Sequence, residues 1–244
     1  MEIKTEPAGR LFDILQEAKR KSENSTARKV WSEIFEVEEQ DTSTLLKMLA
    51  DLIRLMHLSK RNIEELNDIE HELYLKPFSR LEVIFSQVNL DAQWKAWRDQ
   101  IDESTLYGLQ FCSDRLNRST NYTKITNDEL DKIKDSLSDL VEQILASELE
   151  VSLKQLLIRN LERLRQTLIA YRINGIDGIE TEIELNLGSI LLHKDEIKKK
   201  SGENSTHIWK KYFSFLDGLN KTISTAKNVK SLGEGLTKLL EMIQ

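Results

Sequence analysis

The chain has 244 residues, and its 9 glycines and 2 prolines are few for that length, since average usage would give roughly 17 and 12. Because these residues turn strands and break helices, their scarcity argues against a β-sandwich, a small barrel or a disordered linker protein. The chain is 39% hydrophobic and 31% charged, with a formal net charge of −6, which indicates a folded, soluble protein with a large charged surface.

The sequence lacks the residues that several kinds of site require. Its single cysteine, Cys112, excludes an intramolecular disulfide and any zinc site built from several thiolates. No run of residues approaches the ~18 uncharged apolar positions that cross a bilayer, and the start of the chain has no apolar stretch like that of a secretory signal. We therefore expect a cytoplasmic protein without a cofactor.

Catalytic motifs are also missing. None of the four histidines, His57, His71, His193 and His207, lies in a His-Glu-x-x-His or Glu-x-x-His metal motif. Asp68 and His71 together would supply only half of a metal site. We therefore predict no catalytic residues and no metal site, and an enzyme of unfamiliar helical type is the third hypothesis for function.

Apolar residues recur at steps of three and four along the whole chain, without sustained alternation. This spacing predicts an all-α fold class, a multi-helix bundle. In the first part of the chain, the predicted helices run from Gly9 to Lys21, across 30–35, and from Asp41 to about Leu66.

Pro77 is the only proline away from the start of the chain. Because the residue before a proline is biased away from helical angles, we predict a break at 75–76. A helix with an apolar pattern over 81–88 follows, then a short aromatic helix, and then a helix from Asp102 to Leu116. In this last helix, Phe111 is predicted to be a core residue beside a buried Cys112 thiol.

The aromatic residues between 94 and 111 allow two interpretations. Trp94, Trp97, Tyr107 and Phe111 could surround Arg98 in a binding pocket, because exposed aromatic residues are enriched at binding hot spots. Core packing between two short helices is the simpler interpretation.

A polar stretch at 117–126 interrupts the apolar pattern and predicts a boundary. We therefore predict an N-terminal helical subdomain, 1–118, and a C-terminal part, 126–244. The C-terminal part begins with a long helical hairpin that reverses between Ser147 and Glu150. A turn between Gly175 and Gly178, a linker over 198–205 and a long final helix from Thr206 to the end of the chain complete the prediction.

One side of the first hairpin helix is acidic. Carboxylates recur there at helical spacing without an intervening apolar residue, which is typical of a solvated face. The members of this acidic row are Asp128, Asp131, Asp135, Asp139 and Glu142.

Leucine-rich faces in the C-terminal part form the predicted partner-binding surface, because such faces self-associate or lie in the groove of another chain. The predicted function is that of a non-catalytic interaction protein, which forms a homo-oligomer or docks to a larger protein partner. An accessory subunit of a bacterial stress or defence complex would suit this function. The residues assigned to binding, each of which could equally be internal core, are Leu157, Leu161, Leu164, Leu168, Leu216, Leu219 and Ile223.

The charge distribution supports an alternative function. Residues 1–193 carry a net charge of −10 and residues 194–244 a net charge of +4. Lysines among aromatic residues can bind an anionic membrane surface, so the alternative is a membrane-associating effector that uses its C-terminal helix. The pI of about 5.5 argues against a nucleic-acid binder. The residues assigned to this surface are Lys199, Lys200, Trp209, Lys210 and Lys211, unless the aromatic residues are core and the lysines simply face water.

Overall fold

A computed structural model describes residues 6–119, 126–201 and 205–224, and these ranges contain eleven α-helices and no β-strand. The predicted all-α class is therefore confirmed for the described part of the chain. The helices are α1 (Pro7–Arg20), α2 (Ala27–Phe35), α3 (Thr42–Glu64), α4 (His71–Ser86), α5 (Trp94–Arg98), α6 (Glu103–Ser119), α7 (Asn127–Ala146), α8 (Val151–Ile169), α9 (Tyr171–Leu192), α10 (Lys194–Lys200) and α11 (Thr206–Ser224).

The described residues form two compact units. Unit 1 contains 6–119 together with the short segment 172–175, and unit 2 contains 126–171, 176–201 and 205–224. The predicted ranges were 1–118 and 126–244. The second of them includes 172–175, which the structure places in unit 1.

Unit 1 is built on α1, α3, α4 and α6, with an aromatic cluster at α2 and α5. Trp31 stacks on Phe35 with ring centroids 5.3 Å apart and meets the edge of Trp94 at 5.4 Å. The Trp94 indole donates a hydrogen bond to the carbonyl of Ala18 at 3.0 Å. Trp94 and Trp97 are therefore core residues. For these two side chains, the prediction of core packing is confirmed.

Two predictions within unit 1 are wrong. The helix α4 continues through Pro77, which is buried and packs against Gly108 of α6. This packing compensates for the backbone hydrogen bond that proline cannot donate. Phe111 is 67% exposed, because the inward side of α6 at this level is taken by Cys112 and Leu109, which are fully buried.

Unit 2 contains the predicted hairpin, with α7 and α8 joined at 147–150 as expected. The interior of unit 2 also holds a polar network that links α8, α9 and α11. The Tyr212 hydroxyl donates to Oδ1 of Asn186 at 2.7 Å and accepts from Nδ2 of Asn160 at 3.4 Å. The amide of Asn186 donates to the carbonyl of Asn160 at 3.4 Å, which closes the network.

The remaining boundaries differ in part from the prediction. The turn predicted at Gly175 and Gly178 is a kink at Gly175, where φ is 62° and ψ is −160°. The linker predicted at 198–205 begins later, because α10 extends to Lys200. The final helix is described from Thr206 to Ser224, and its predicted continuation over 225–244 lies outside the described residues.

Candidate partner-binding groove

The seven residues assigned to partner binding all lie in the interior of unit 2. Their side chains are at most 3% exposed, so in this conformation they form core contacts within one chain. A partner that binds without unfolding unit 2 therefore needs a different surface. The residues concerned are Leu157, Leu161, Leu164, Leu168, Leu216, Leu219 and Ile223.

The five residues of the alternative membrane surface are divided between core and surface. Trp209 is 1% exposed, and its indole donates to the Ser201 hydroxyl at 3.1 Å. Lys199, Lys200, Lys210 and Lys211 are exposed. An indole buried in this way cannot insert into a headgroup layer unless it leaves the core.

Lys200 is part of a local ion cluster. Its ammonium lies 2.8 Å from Glu196 and 3.5 Å from Glu150. The hydrogen bond to Glu196 is the main reason why the pKa of Lys200 is raised above its ordinary value. The charge of Lys200 is thus partly compensated within unit 2.

An open groove runs between α7 and α11. Its cavity volume is about 510 Å³, and its lining extends from Glu129 to Gln143 on α7 and from Lys211 to Thr222 on α11. At 1.5 Å per residue these stretches measure about 21 Å and about 16 Å. The apolar residues of the lining are Ile133, Leu140, Phe215 and Leu219.

Local sequence signals position α7, which forms one wall of the groove. Thr126 and Glu129 form a capping box, in which each side chain accepts a hydrogen bond from the backbone N–H of the other residue. The hydrogen bond from the Thr126 backbone lowers the pKa of Glu129, which keeps this carboxylate ionised at the end of the groove. At the other end, Lys211 donates to the Gln143 side chain at 2.5 Å and bridges the two helices.

Gly218 leaves space on the α11 side of the groove. A Cβ atom at this position would meet no atom within 4 Å apart from the backbone of its own helix. Because the absence of a side chain exposes the helix backbone, another helix could approach α11 closely here.

The two sides of the groove differ in charge. On α7, beyond the groove wall, all five carboxylates of the acidic row are exposed, which confirms the predicted solvated face. On α11, Lys210 and Lys211 are exposed, and Lys221 lies 2.6 Å from Asp217. A ligand that lies in the groove would therefore experience a negative field on one flank and a more positive field on the other.

Cys112 and Asp68 are the other residues whose side chains could take part in catalysis or metal binding. Cys112 is buried, and Asp68 forms an ion pair. Burial, aided by the charge of Glu6, raises the pKa of the Cys112 thiol to about 12, so a thiolate nucleophile is not available at neutral pH. Asp68 is held in an ion pair with Arg115, whose hydrogen bond lowers the Asp68 pKa. Within the described ranges, no group of three or more His, Cys, Asp or Glu residues could hold a metal ion.

Sequence reasoning missed the groove, although some signals for it were present. Ile133 and Phe215 belong to apolar stripes, but a stripe does not show which of its members remain uncovered. Gly218 interrupts the apolar pattern of a predicted helix without ending it, although glycine lowers helix propensity at that position. Of the residues assigned from the sequence, Leu219 and Lys211 line the groove.

None of the described helices is long and apolar enough to span a bilayer. Comparisons with known protein families, with curated proteins and with solved structures found no match.

Proposed function

We propose that this protein is a non-catalytic interaction protein that binds an amphipathic helix of a partner protein in the α7–α11 groove. The observation that supports this function is the groove itself, which is open, apolar along its floor and lined by two helices of unit 2. Recognition of a helix in such a groove is a common mode of peptide binding.

The dimensions of the groove favour a helix over a compact ligand. A lining of about 16 to 21 Å matches a partner helix of roughly 11 to 14 residues. The apolar residues Ile133, Leu140, Phe215 and Leu219 are distributed along this length. Ile133 and Phe215, which are partly exposed, would meet partner side chains spaced at i, i+3, i+4 and i+7. Leu140 and Leu219, at most 5% exposed, lie beneath them.

Charge defines the chemistry of the partner further. The acidic row on α7 would attract a flank of the partner helix that carries Lys or Arg, and the lysines of α11 would attract an acidic flank. Such charges mainly set the orientation and the encounter rate, while the apolar contacts provide most of the affinity.

The test uses two synthetic helical peptides with the same leucine face. One carries lysines on the flank that faces α7 and glutamates on the other flank, and in the second peptide the same lysines and glutamates alternate along both flanks, so that neither orientation separates the charges. We expect the first peptide to bind more tightly in fluorescence anisotropy, with a difference that decreases as salt screens the charges. Equal affinity for both peptides at low salt would contradict the proposed charge recognition.

Two matched variants locate the binding site. Gly218→Trp fills the groove and should weaken binding by at least about tenfold, since the indole would occupy the space that a buried side chain of the partner needs. Gly188→Trp, a change of the same size at an exposed position on α9, should leave the affinity unchanged. If both variants bind as the wild type does, the groove is not the site.

The membrane alternative is examined with the same proteins. Flotation with phosphatidylserine vesicles at low salt, lost when Lys199, Lys200, Lys210 and Lys211 are all changed to Glu, would favour a lipid surface over a protein partner. Under the proposed function, neither the wild type nor this variant floats.

A further inference from the structure

The sequence that follows α11 predicts a further amphipathic helix of the kind that the α7–α11 groove fits. Leu236, Leu239, Leu240 and Ile243 stand at i, i+3, i+4 and i+7, a spacing that places four apolar side chains on one side of a helix. At about 100° per residue, the charged residues between 232 and 244 fall on the other side. A helix over 232–244 would be about 20 Å long, which matches the lining of the groove.

A capping signal separates this segment from α11. Ser231 is followed three residues later by Glu234, which is the pattern of a capping box at the start of a helix. Thr126 and Glu129 form the same motif at the start of α7. The pattern therefore predicts that a new helix begins directly after Ser231, with residues 225–231 as its connection to α11.

The last described turn of α11 lies beside the groove. Thr222, two residues before the end of α11, and Glu129, at the start of α7, both line the groove. Lys211 bonds to Gln143 at the other end, so α7 and α11 are antiparallel and the chain leaves α11 at the Glu129 end. A connection of seven residues reaches at most about 25 Å, which is enough for the chain to turn back into the groove.

The charges at this end of the groove favour the same path. Lys227 and Lys230 belong to the connection, and Asp128 and Glu129 are exposed at the start of α7. The lowered pKa of Glu129 keeps its carboxylate ionised at neutral pH. Opposite charges attract each other within a Debye length of about 8 Å, so these carboxylates draw the connection towards the start of α7.

We propose that residues 232–244 bind as a helix in the α7–α11 groove of their own chain, parallel to α7, and compete there with the partner helix. The inference rests on the proposed function, since it assumes that the groove recognises an amphipathic helix. A segment tied by a connection of seven residues acts at an effective concentration on the order of millimolar. A partner must displace this segment, so its apparent affinity falls with the fraction of molecules whose groove is free.

Disulfide cross-linking in the full chain tests the location and the direction of the segment. Ser214 is exposed and lines the groove three residues from Lys211, at the end that Ile243 would reach. Ser214→Cys combined with Ile243→Cys should form an intramolecular disulfide under mild oxidation. Ser214→Cys combined with Leu232→Cys is the matched control and should not link, because position 232 lies roughly 16 Å nearer the other end. The native Cys112 is fully buried and gives no background.

Peptide affinity tests the competition, with the leucine-faced peptide that carries lysines on one flank and glutamates on the other. In the full chain, Leu236→Asp combined with Ile243→Asp should release the segment and raise the affinity for this peptide by at least about tenfold. Thr237→Asp combined with Gln244→Asp adds the same charge outside the apolar side and should leave the affinity unchanged. Circular dichroism checks that both double variants remain helical.

The inference is overturned if both double variants bind the peptide with equal affinity, or if Ser214→Cys links no better to position 243 than to position 232. Covalent dimers in place of the intramolecular disulfide would also contradict it, because the segment would then fill the groove of a second copy.

The two proposals fail in different ways. If no protein binds the peptide while the disulfide between 214 and 243 forms, the proposed partner binding fails and docking of the segment stands. If the peptide binds the wild type and both double variants equally and this disulfide does not form, only the docking of the segment is refuted.

Discussion

At Gly175 the backbone adopts a conformation that is almost exclusive to glycine, with φ at 62° and ψ at −160°. The guanidinium of Arg10 occupies the position where a Cβ atom would project. Nearby, Arg172 donates to Glu17 at 2.7 Å, which holds this segment within unit 1. Position 175 therefore requires glycine for two independent reasons, the backbone conformation and the space that Arg10 occupies.

Gly175→Ala should lower the free energy of unfolding by about 2 kcal/mol or more, because backbone strain and a steric clash add together. Gly188→Ala is the matched control, since its Cβ meets open space. It should raise helix stability by up to about 1 kcal/mol. Urea unfolding measures both, and equal effects of the two variants would contradict this account.

The buried Asn160–Tyr212–Asn186 network makes a second prediction at the residue scale. Tyr212→Phe keeps the ring but removes the donor that lies 2.7 Å from Oδ1 of Asn186. The loss should be about 1–3 kcal/mol, because a buried acceptor is left unsatisfied. Thermal unfolding of the wild type and of this variant measures the loss. If Tyr212→Phe alone is as stable as the wild type, the network does not stabilise unit 2.

Alkaline pH should weaken unit 2 through Tyr212. Burial raises the pKa of this phenol above its ordinary value of 10.0. Above pH 10 the unfolded chain can release the proton while the folded chain retains it, so stability falls as the pH rises towards the folded pKa. Chemical unfolding at several pH values should show a smaller decrease for Tyr212→Phe than for the wild type, and identical slopes would exclude Tyr212 as the cause.

At the scale of single elements, α4 shows how packing overrides local preference. A proline in the helix interior costs about 3 kcal/mol relative to alanine, and the residues before Pro77 carry no compensating sequence signal. Burial of Pro77 against Gly108 keeps the helix intact. Such a contact joins residues that are distant in sequence, so the pattern around Pro77 predicts a break that the fold does not contain.

The capping box of α7 gives a prediction about pH at the element scale. The Glu129 pKa is lowered below its ordinary value of 4.5 by hydrogen bonds from Thr126. The ionised Glu129 side chain therefore stabilises the folded state above pH 4.5, and this stabilisation is lost as the pH falls through the folded pKa. Glu129→Ala should be less stable than the wild type at pH 7, and the difference should shrink in acid. Glu129→Gln, which can still accept the bond, should retain more of the stability. A difference that stays constant with pH would contradict this role.

At the scale of the whole molecule, α11 is a structural part of unit 2. Trp209, Tyr212 and Leu216 are at most 1% exposed, although they lie near the end of the described chain. Removing α11 would uncover the apolar surface of α7, against which α11 packs.

Truncation after Ser201 should therefore abolish the folding of unit 2, while unit 1 should keep its aromatic cluster. Hydrogen exchange should show loss of protection in α7 and α8 but not in α1 and α6. A soluble remnant with protected α7 and α8 would show instead that α11 is dispensable and peripheral.

The sequence alone determined the helical class, the hairpin and most helix starts, because these depend on local spacing and on caps such as Thr126 and Glu129. It also showed the separation of negative and positive charge along the chain. Whether Leu157 or Leu216 faces the core or a partner was decided only by the tertiary structure, since identical stripes serve both purposes. The groove, the passage of α4 through Pro77 and the exposure of Phe111 were decided in the same way. Each of these features depends on which helices pack against one another. Helix packing is determined by the burial of apolar surface over the whole unit, and the sequence of a single helix does not specify it.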